Sequence, residues 1–177
     1  MTAEEFVKAI TELKPKESEL NGISDPFGLI KHGLKEFDIK KKFNEIYDDP
    51  ISSIVNNYDV TSLRIRGFAF DNDYFDDGEL FCFGWDEIGD RIAIHKITKK
   101  IVAYDVYGDR ITFVCAENSS KFLEALIEVM RVSRDRMLIS YSEVQADKRC
   151  RDAAYVAALK AGGEEFEDYY KGLLWVD

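Results

Sequence analysis

The sequence predicts an α+β fold in which helices flank a central antiparallel sheet of about five strands, roughly residues 61–117. Apolar residues recur at helical spacing before and after this region, whereas within it they follow strand patterns. The strand-like runs are separated by only a few residues, and parallel neighbours would need much longer crossovers. We therefore expect a single domain, 1–177, in which residues 140–177 form a helical C-terminal extension.

The N-terminal region is predicted to begin with an amphipathic helix. Thr2 and Glu5 have the spacing of a capping box, and Pro15 is expected to end the helix. Its apolar stripe consists of Phe6, Ile10 and Leu13. A second, short helix that ends before Pro50 is predicted to run through Phe37, Lys41 and Asn44.

Five apolar runs are predicted to form the sheet. Asp77-Gly78 is the strongest hairpin signal, because these residue types accept the backbone conformation of a tight turn, and Gly89-Asp90 marks the next turn. The short connections favour a meander of antiparallel neighbours. In chain order the runs are SLRIRGFAF, ELFCFGW, RIAIHKI, IVAYDVY and ITFVCA.

Two helices are predicted after the sheet. One of the polar residues 118–120 can cap the first, whose apolar stripe is suited to cover one face of the sheet. Ser140 and Glu143 offer a capping box for the second, which is expected to end at Gly162-Gly163. The stripe on the first helix consists of Phe122, Leu123, Leu126, Ile127 and Met130.

The charge balance restricts the kinds of partner. Acidic residues (34) outnumber basic ones (24), giving a net charge of -10 and a sequence pI near 4.8. Nucleic-acid binding would work against this field, since affinity for phosphates needs Lys and Arg. An acidic surface instead favours a basic protein partner, or serves solubility alone. We expect neither a nucleic acid nor a membrane as partner.

The N-terminus and the cysteines indicate a cytoplasmic protein. The first residues, MTAEEFVKAITELK, are acidic and amphipathic, unlike a secretory signal. The apolar runs are shorter than the ~20 residues that a membrane helix needs. Cys82, Cys115 and Cys150 are widely spaced and odd in number, which is typical of reduced thiols.

The most unusual segment is residues 71–90, which contain eight acidic residues and no Lys or Arg, with aromatic residues between them. An EF-hand loop would place Gly78 at its sixth position, but Phe75 and Gly84 would then occupy positions that must supply oxygen ligands. The sequence therefore excludes an EF-hand. It leaves open a weak cation site among Asp71, Asp73, Asp76 and Asp77.

No catalytic motif is recognisable in the sequence. Asp86 and Glu87 could act as a carboxylate pair, but neighbouring residues on a strand point to opposite faces. His32 and His95 lack the spacing of metal ligands, and neither a nucleophile elbow nor a phosphate-binding loop occurs. We therefore predict no catalytic residues, no metal and no cofactor. A small metal-assisted hydrolase is kept as the third interpretation.

Four segments of the sheet region have a familiar order. They are a phenylalanine-bearing strand, a glycine before an aromatic strand, a charged strand connection, and a helix start with the pattern S-x-x-F-L. These lie at Phe68 to Asp71, Gly78 to Asp86, Ile92 to Asp105, and Ser119 with Phe122 and Leu123. Together they resemble the SUKH superfamily, which includes bacterial immunity proteins and fungal regulators of cell-wall synthesis. The similarity covers about residues 61–130.

The resemblance implies a non-enzymatic protein that binds and neutralises a cognate toxin, often a nuclease. An acidic surface can steer onto the basic active site of such a toxin and occlude it, and aromatic residues among the acids would anchor the interface. The second interpretation is a regulatory or scaffold protein with a host partner, as the fungal members imply. The predicted partner-binding residues are Asp73, Tyr74, Phe75, Asp76, Asp77, Trp85, Asp86, Glu87 and Asp90.

Overall fold

The α+β class is confirmed in the computed structural model, which describes residues 1–25, 28–76 and 78–177, with only the backbone at 72 and 73. The helices are α1 (Ala3–Leu13), α2 (Glu17–Leu20), α3 (Leu29–Gly33), α4 (Pro50–Asn57), α5 (Ser119–Leu138), α6 (Glu143–Ala161) and α7 (Glu167–Leu174). The strands are β1 (Lys40–Lys41), β2 (Tyr58–Asp59), β3 (Arg64–Ile65), β4 (Phe68–Asp76), β5 (Leu80–Asp86), β6 (Arg91–His95), β7 (Ile101–Asp105) and β8 (Arg110–Ala116).

The main sheet is the predicted antiparallel meander. Within the described residues it has six strands, β3 to β8, each paired with its neighbours in chain order, and β1 and β2 form a separate antiparallel pair. The first predicted run divides into β3 and β4 because Arg66 adopts a left-handed backbone conformation with φ 54°, which turns the chain. The predicted hairpin between β4 and β5 is present, although Asp77 of its turn lies outside the described residues.

Helix α5 packs on one face of the sheet through its predicted apolar stripe. Phe122 meets Phe68 and Phe83 edge to face, with ring centroids 5.6 and 5.9 Å apart. Phe6 of α1 contacts Phe70 in the same way at 6.3 Å. These aromatic rings lie at the centre of the main apolar core, so one sheet face is closed by helices.

The C-terminal helices belong to this same core. Alanines of α6, among them Ala154 and Ala157, are fully buried, which lets α6 lie close to α5. Tyr170 of α7 is also buried and donates its hydroxyl to the Cys115 backbone carbonyl at 3.0 Å. Residues 143–174 therefore complete the core on which the sheet rests.

The predicted position of the second helix was wrong. The helix predicted through Phe37, Lys41 and Asn44 is absent from this described segment, which holds a short 3₁₀ turn at Leu34–Phe37 and then β1. A helix instead begins at Pro50, where Asp49 accepts the Ser52 N–H at 2.9 Å. Proline at the first helical position forfeits no hydrogen bond and already has the helical φ.

The helix caps were predicted with mixed success. The capping box of Thr2 and Glu5 is present, and Asn118 caps α5. The box before α6 is formed by Ser142 and Gln145, two residues later than the predicted pair at Ser140 and Glu143. No helix in the described part of the chain has the length and apolar character needed to cross a membrane.

Candidate functional site: the open face of the sheet

One face of the sheet carries a row of side chains that no described helix covers. Strand register places Phe75 opposite Cys82, Cys82 opposite Ala93, Ala93 opposite Val102, and Val102 opposite Val114. Directly paired residues point to the same face. A single apolar row therefore crosses five strands. We call this side of the sheet the open face.

A second row of side chains runs beside the first and includes several larger side chains with polar groups. In strand order it consists of Arg64, Ala69, Trp85, Arg91, Tyr104 and Ile111. Arg64 stacks over the indole of Trp85 at 5.3 Å, and Arg91 lies 5.7 Å from the Phe75 ring. An arginine is therefore stacked on the ring of Trp85 and another on the ring of Phe75.

The open face has its own small apolar cluster. Leu80, Cys82, Ala93 and Val102 form it, with Tyr104 packed against them, and all five lie on strands. The residues of this cluster are buried, while Phe75 and Trp85 remain 42% and 38% exposed. Exposed aromatic groups around an apolar floor are typical of an interaction surface.

A hollow of about 480 Å³ lies at one end of the open face. Trp85 and Arg91 form its floor, and the β7–β8 turn adds Val106 and the fully exposed Tyr107. Tryptophan, tyrosine and arginine are the residue types that contribute most often to protein-binding hot spots. The hollow is thus the part of this face best suited to receive a partner side chain.

Two acids of the unusual segment form ion pairs with bases that follow the segment in the chain. Arg91 binds Asp71 with 2.5 Å between Nη1 and Oδ2, and Lys96 binds Asp76. The hydrogen bond from Lys96, and then the Gly78 N–H, lower the pKa of Asp76. A segment without basic residues in sequence therefore becomes partly neutralised when the sheet forms.

Asp86 and Asp90 were predicted to face a partner, and this prediction was wrong. Both residues are buried, with exposed fractions of 6% and 7%. They close the β5–β6 turn: the Asp90 N–H donates to Asp86 Oδ1 at 2.9 Å, and Thr112 donates to Asp90 at 2.5 Å. Burial, with the nearby Asp90, raises the pKa of Asp86 against the lowering effect of backbone N–H groups.

The other predicted residues do not gather on one surface. Asp76 is paired opposite Phe81, which packs against the main core, so Asp76 points away from the open face. Tyr74 lies on that side too, with its ring 5.4 Å from Phe81 and its hydroxyl bonded to Asn56 at 2.6 Å. Glu87 accepts the Trp175 indole N–H at 2.7 Å.

Two predicted residues fall outside what the structure describes: Asp77 entirely, and the side chain of Asp73. The weak cation site that included them is therefore not reconstructed in full. Within the described part of the chain, no three His, Cys, Asp or Glu side chains come together in a group that could hold a metal ion. Phe75 and Trp85 are the predicted residues that the register places on the open face.

Several residues of the open face were missed by the sequence reasoning. Arg64, Arg91 and Tyr104 share the row of Trp85, and Tyr107 lies on the turn beside it. Period-2 alternation would have assigned residues of each strand to a common face. Aligning the strands with one another required the register, which shifts between Phe70 and Phe75 and between Cys82 and Gly84.

Comparisons with protein-family models, curated proteins and solved structures found no match to this chain. The fold and the open face are therefore the structural basis for any functional proposal.

Proposed function

We propose that this chain is a non-enzymatic binding protein of the SUKH immunity type, which neutralises a basic toxin domain by docking on the toxin's active-site surface. The observation that carries the proposal is the open face, where Trp85, Arg91 and Tyr107 surround a hollow beside an uncovered apolar row. The resemblance of residues 61–130 to SUKH proteins supplies the class of partner.

The distribution of charge supports a basic partner. The whole chain has a net charge of -10, although acids near the open face are partly paired. Long-range attraction depends on the summed charge, whereas close contact depends on the local surface. The partner would thus be attracted by the whole molecule and held by the aromatic residues of the open face.

Neutralisation would require no chemistry by this chain. A toxin that cuts nucleic acid must expose a basic, phosphate-binding cleft, and a protein seated over this cleft excludes the substrate. We further propose a cytoplasmic location, which the three buried and widely spaced cysteines support.

The proposal is tested with the protein encoded next to this gene. We expect that protein to arrest growth when expressed alone and to be neutralised by the wild-type chain. Trp85→Ala and Tyr107→Ala should each weaken binding at least about tenfold, because they remove exposed aromatic anchors. Calorimetry with the purified toxin measures the affinity, and growth measures protection.

Val144→Ala is the matched control, because Val144 is an exposed apolar residue on α6, outside the open face. It should retain wild-type affinity. Undiminished binding by both aromatic variants, with folding verified by circular dichroism, would contradict docking on the open face. A neighbouring protein that is neither toxic nor bound would contradict the immunity function and favour the regulatory or scaffold interpretation.

A further inference from the structure

A second concave site lies beside the edge strand β3, between α3 and the C-terminal part of α5. It is a cleft of about 500 Å³, and three arginines line it: Arg64, Arg66 and Arg136. Leu29, Met137 and the indole of Trp175 supply apolar walls. A cleft of this size can hold a small organic molecule. Three arginines on one cleft are unexpected in a chain whose net charge is -10.

The Arg66 guanidinium is the unusual group of this cleft. It stacks on the Trp175 ring with its central carbon 4.4 Å from the ring centroid. Its Nε and Nη2 atoms are buried, yet neither has a hydrogen-bond acceptor among the described residues. These two nitrogens form the edge of a guanidinium that binds a carboxylate or phosphate through two parallel hydrogen bonds. Buried donors of this kind normally have partners.

The electrostatic surroundings of Arg66 favour an added anion. Burial lowers the pKa of Arg66, and the neighbouring Arg136 lowers it further. Glu36 is the carboxylate that lines the cleft, and burial raises its pKa. Glu87 and Glu36 offset part of the effect of burial and Arg136 on Arg66, whose pKa is nevertheless lowered. Neither Glu36 nor any other described acid forms an ion pair with Arg66 within 4.0 Å. The positive charge of the cleft is therefore incompletely balanced.

We infer that this cleft binds a small organic anion, whose carboxylate or phosphate group accepts hydrogen bonds from Arg66 and whose apolar body lies against Trp175, Leu29 and Met137. Because Nε and Nη2 are covered by protein atoms, Arg66 must turn this edge toward the cleft. Nε and Nη2 make no hydrogen bond to the described residues, so the turn breaks none at these two atoms. Arg136 lines the same cleft, so its positive charge favours the same anion. This inference is independent of the proposed function.

Tryptophan fluorescence gives a direct test. The chain has two tryptophans, so Trp85→Phe leaves Trp175 in the wall of the cleft as the single indole reporter. This variant is titrated with benzoate, phenyl phosphate, inorganic phosphate and phenol. We expect saturable changes with benzoate or phenyl phosphate, and the stronger of the two identifies the preferred anionic group. Phenol, which lacks the anion, and inorganic phosphate, which lacks the apolar body, should bind more weakly by at least about tenfold.

Variants in the same background assign the site. Arg66→Lys keeps the positive charge but loses the paired donors, and should weaken binding about tenfold. Arg136→Gln should also weaken it, and provides a second test if the Arg66 variant is unstable. Arg110→Gln is the control, because this exposed arginine lies on β8, outside the cleft. The inference is overturned if no organic anion binds saturably, if phenol binds as well as the stronger of benzoate and phenyl phosphate, or if folded Arg66 and Arg136 variants bind like the control.

Discussion

Gly84 lies where β5 packs tightly against strand β4 and an aromatic ring of the core. A β-carbon built there would lie 2.6 Å from the Ala69 carbonyl oxygen and 2.7 Å from Cε2 of Phe68. Both neighbours are held in place, one by the strand ladder and the other by the aromatic cluster. The packing of the β4–β5 hairpin therefore requires a glycine at position 84.

Gly84→Ala should destabilise the protein by about 1–3 kcal/mol, because the added methyl group overpacks a rigid site. Gly172→Ala is the matched control: a β-carbon at Gly172, within α7, meets no atom within 4 Å. Alanine there should raise the free energy of unfolding by about 0.5–1 kcal/mol. Urea denaturation measures both. A Gly84→Ala protein as stable as the wild type would contradict the packing argument.

Asp86 should make stability depend on pH in a particular direction. Burial raises its folded pKa above the ordinary value of 3.8, so the native state holds this proton more tightly than the unfolded chain. The contribution of Asp86 to the free energy of unfolding therefore falls as pH rises from about 4 through the folded pKa. Asparagine has no such titration, and its side-chain oxygen can still accept the Asp90 N–H.

Asp86→Asn should accordingly gain stability relative to the wild type as pH rises across this interval, and the difference should then become constant. Urea denaturation of both proteins at closely spaced pH values between about 3.5 and 7 measures the difference. A difference that is independent of pH, or that moves in favour of the wild type, would show that the folded pKa of Asp86 is not raised.

At the scale of elements, the sequence predicted those whose signals are local. The capping box of α1 and the apolar stripe of α5 lie within single helices, and both are confirmed. Pro50 was interpreted as the end of one helix, although Asp49 before it supplies the cap that begins another. Arg66 and Gly67 form the turn that divides the first predicted strand. Gly67 is a turn residue type, but the apolar alternation continues across it, so one strand was predicted instead of two.

The candidate site was less predictable because it is made by pairing between strands. Phe75 and Trp85 were recognised as exposed aromatic residues, but their shared face depends on two register shifts in the sheet. No ion pair within the chain was predicted for the acids around them. Asp71 is instead bound by Arg91, a residue twenty positions later that the meander places on the adjoining part of the sheet. The sequence of a segment shows its own charges. It does not show which charged side chains of other segments lie beside it in the folded protein.

At the scale of the whole molecule, the two faces of the sheet have different environments. Helices α1 and α5 close one face with aromatic contacts, while the other retains a strand-only cluster and exposed Phe75 and Trp85. The net charge of -10 is a property of the entire surface and does not depend on the open face. Attraction at long range and adhesion at short range should therefore be separable by experiment.

Association of the chain with its proposed basic toxin should be strongly dependent on salt, whereas dissociation should depend on the open face. Raising ionic strength from low to physiological values should slow association by at least about tenfold, because mobile ions screen the attraction between the oppositely charged proteins.

Trp85→Ala leaves the net charge unchanged, so it should accelerate dissociation and leave the association rate and its salt dependence near wild-type values. Stopped-flow mixing and surface-based kinetics measure the two rates. An association rate insensitive to salt would contradict steering by the acidic surface, and a Trp85→Ala effect confined to association would contradict the role of Trp85 as a contact in the bound complex.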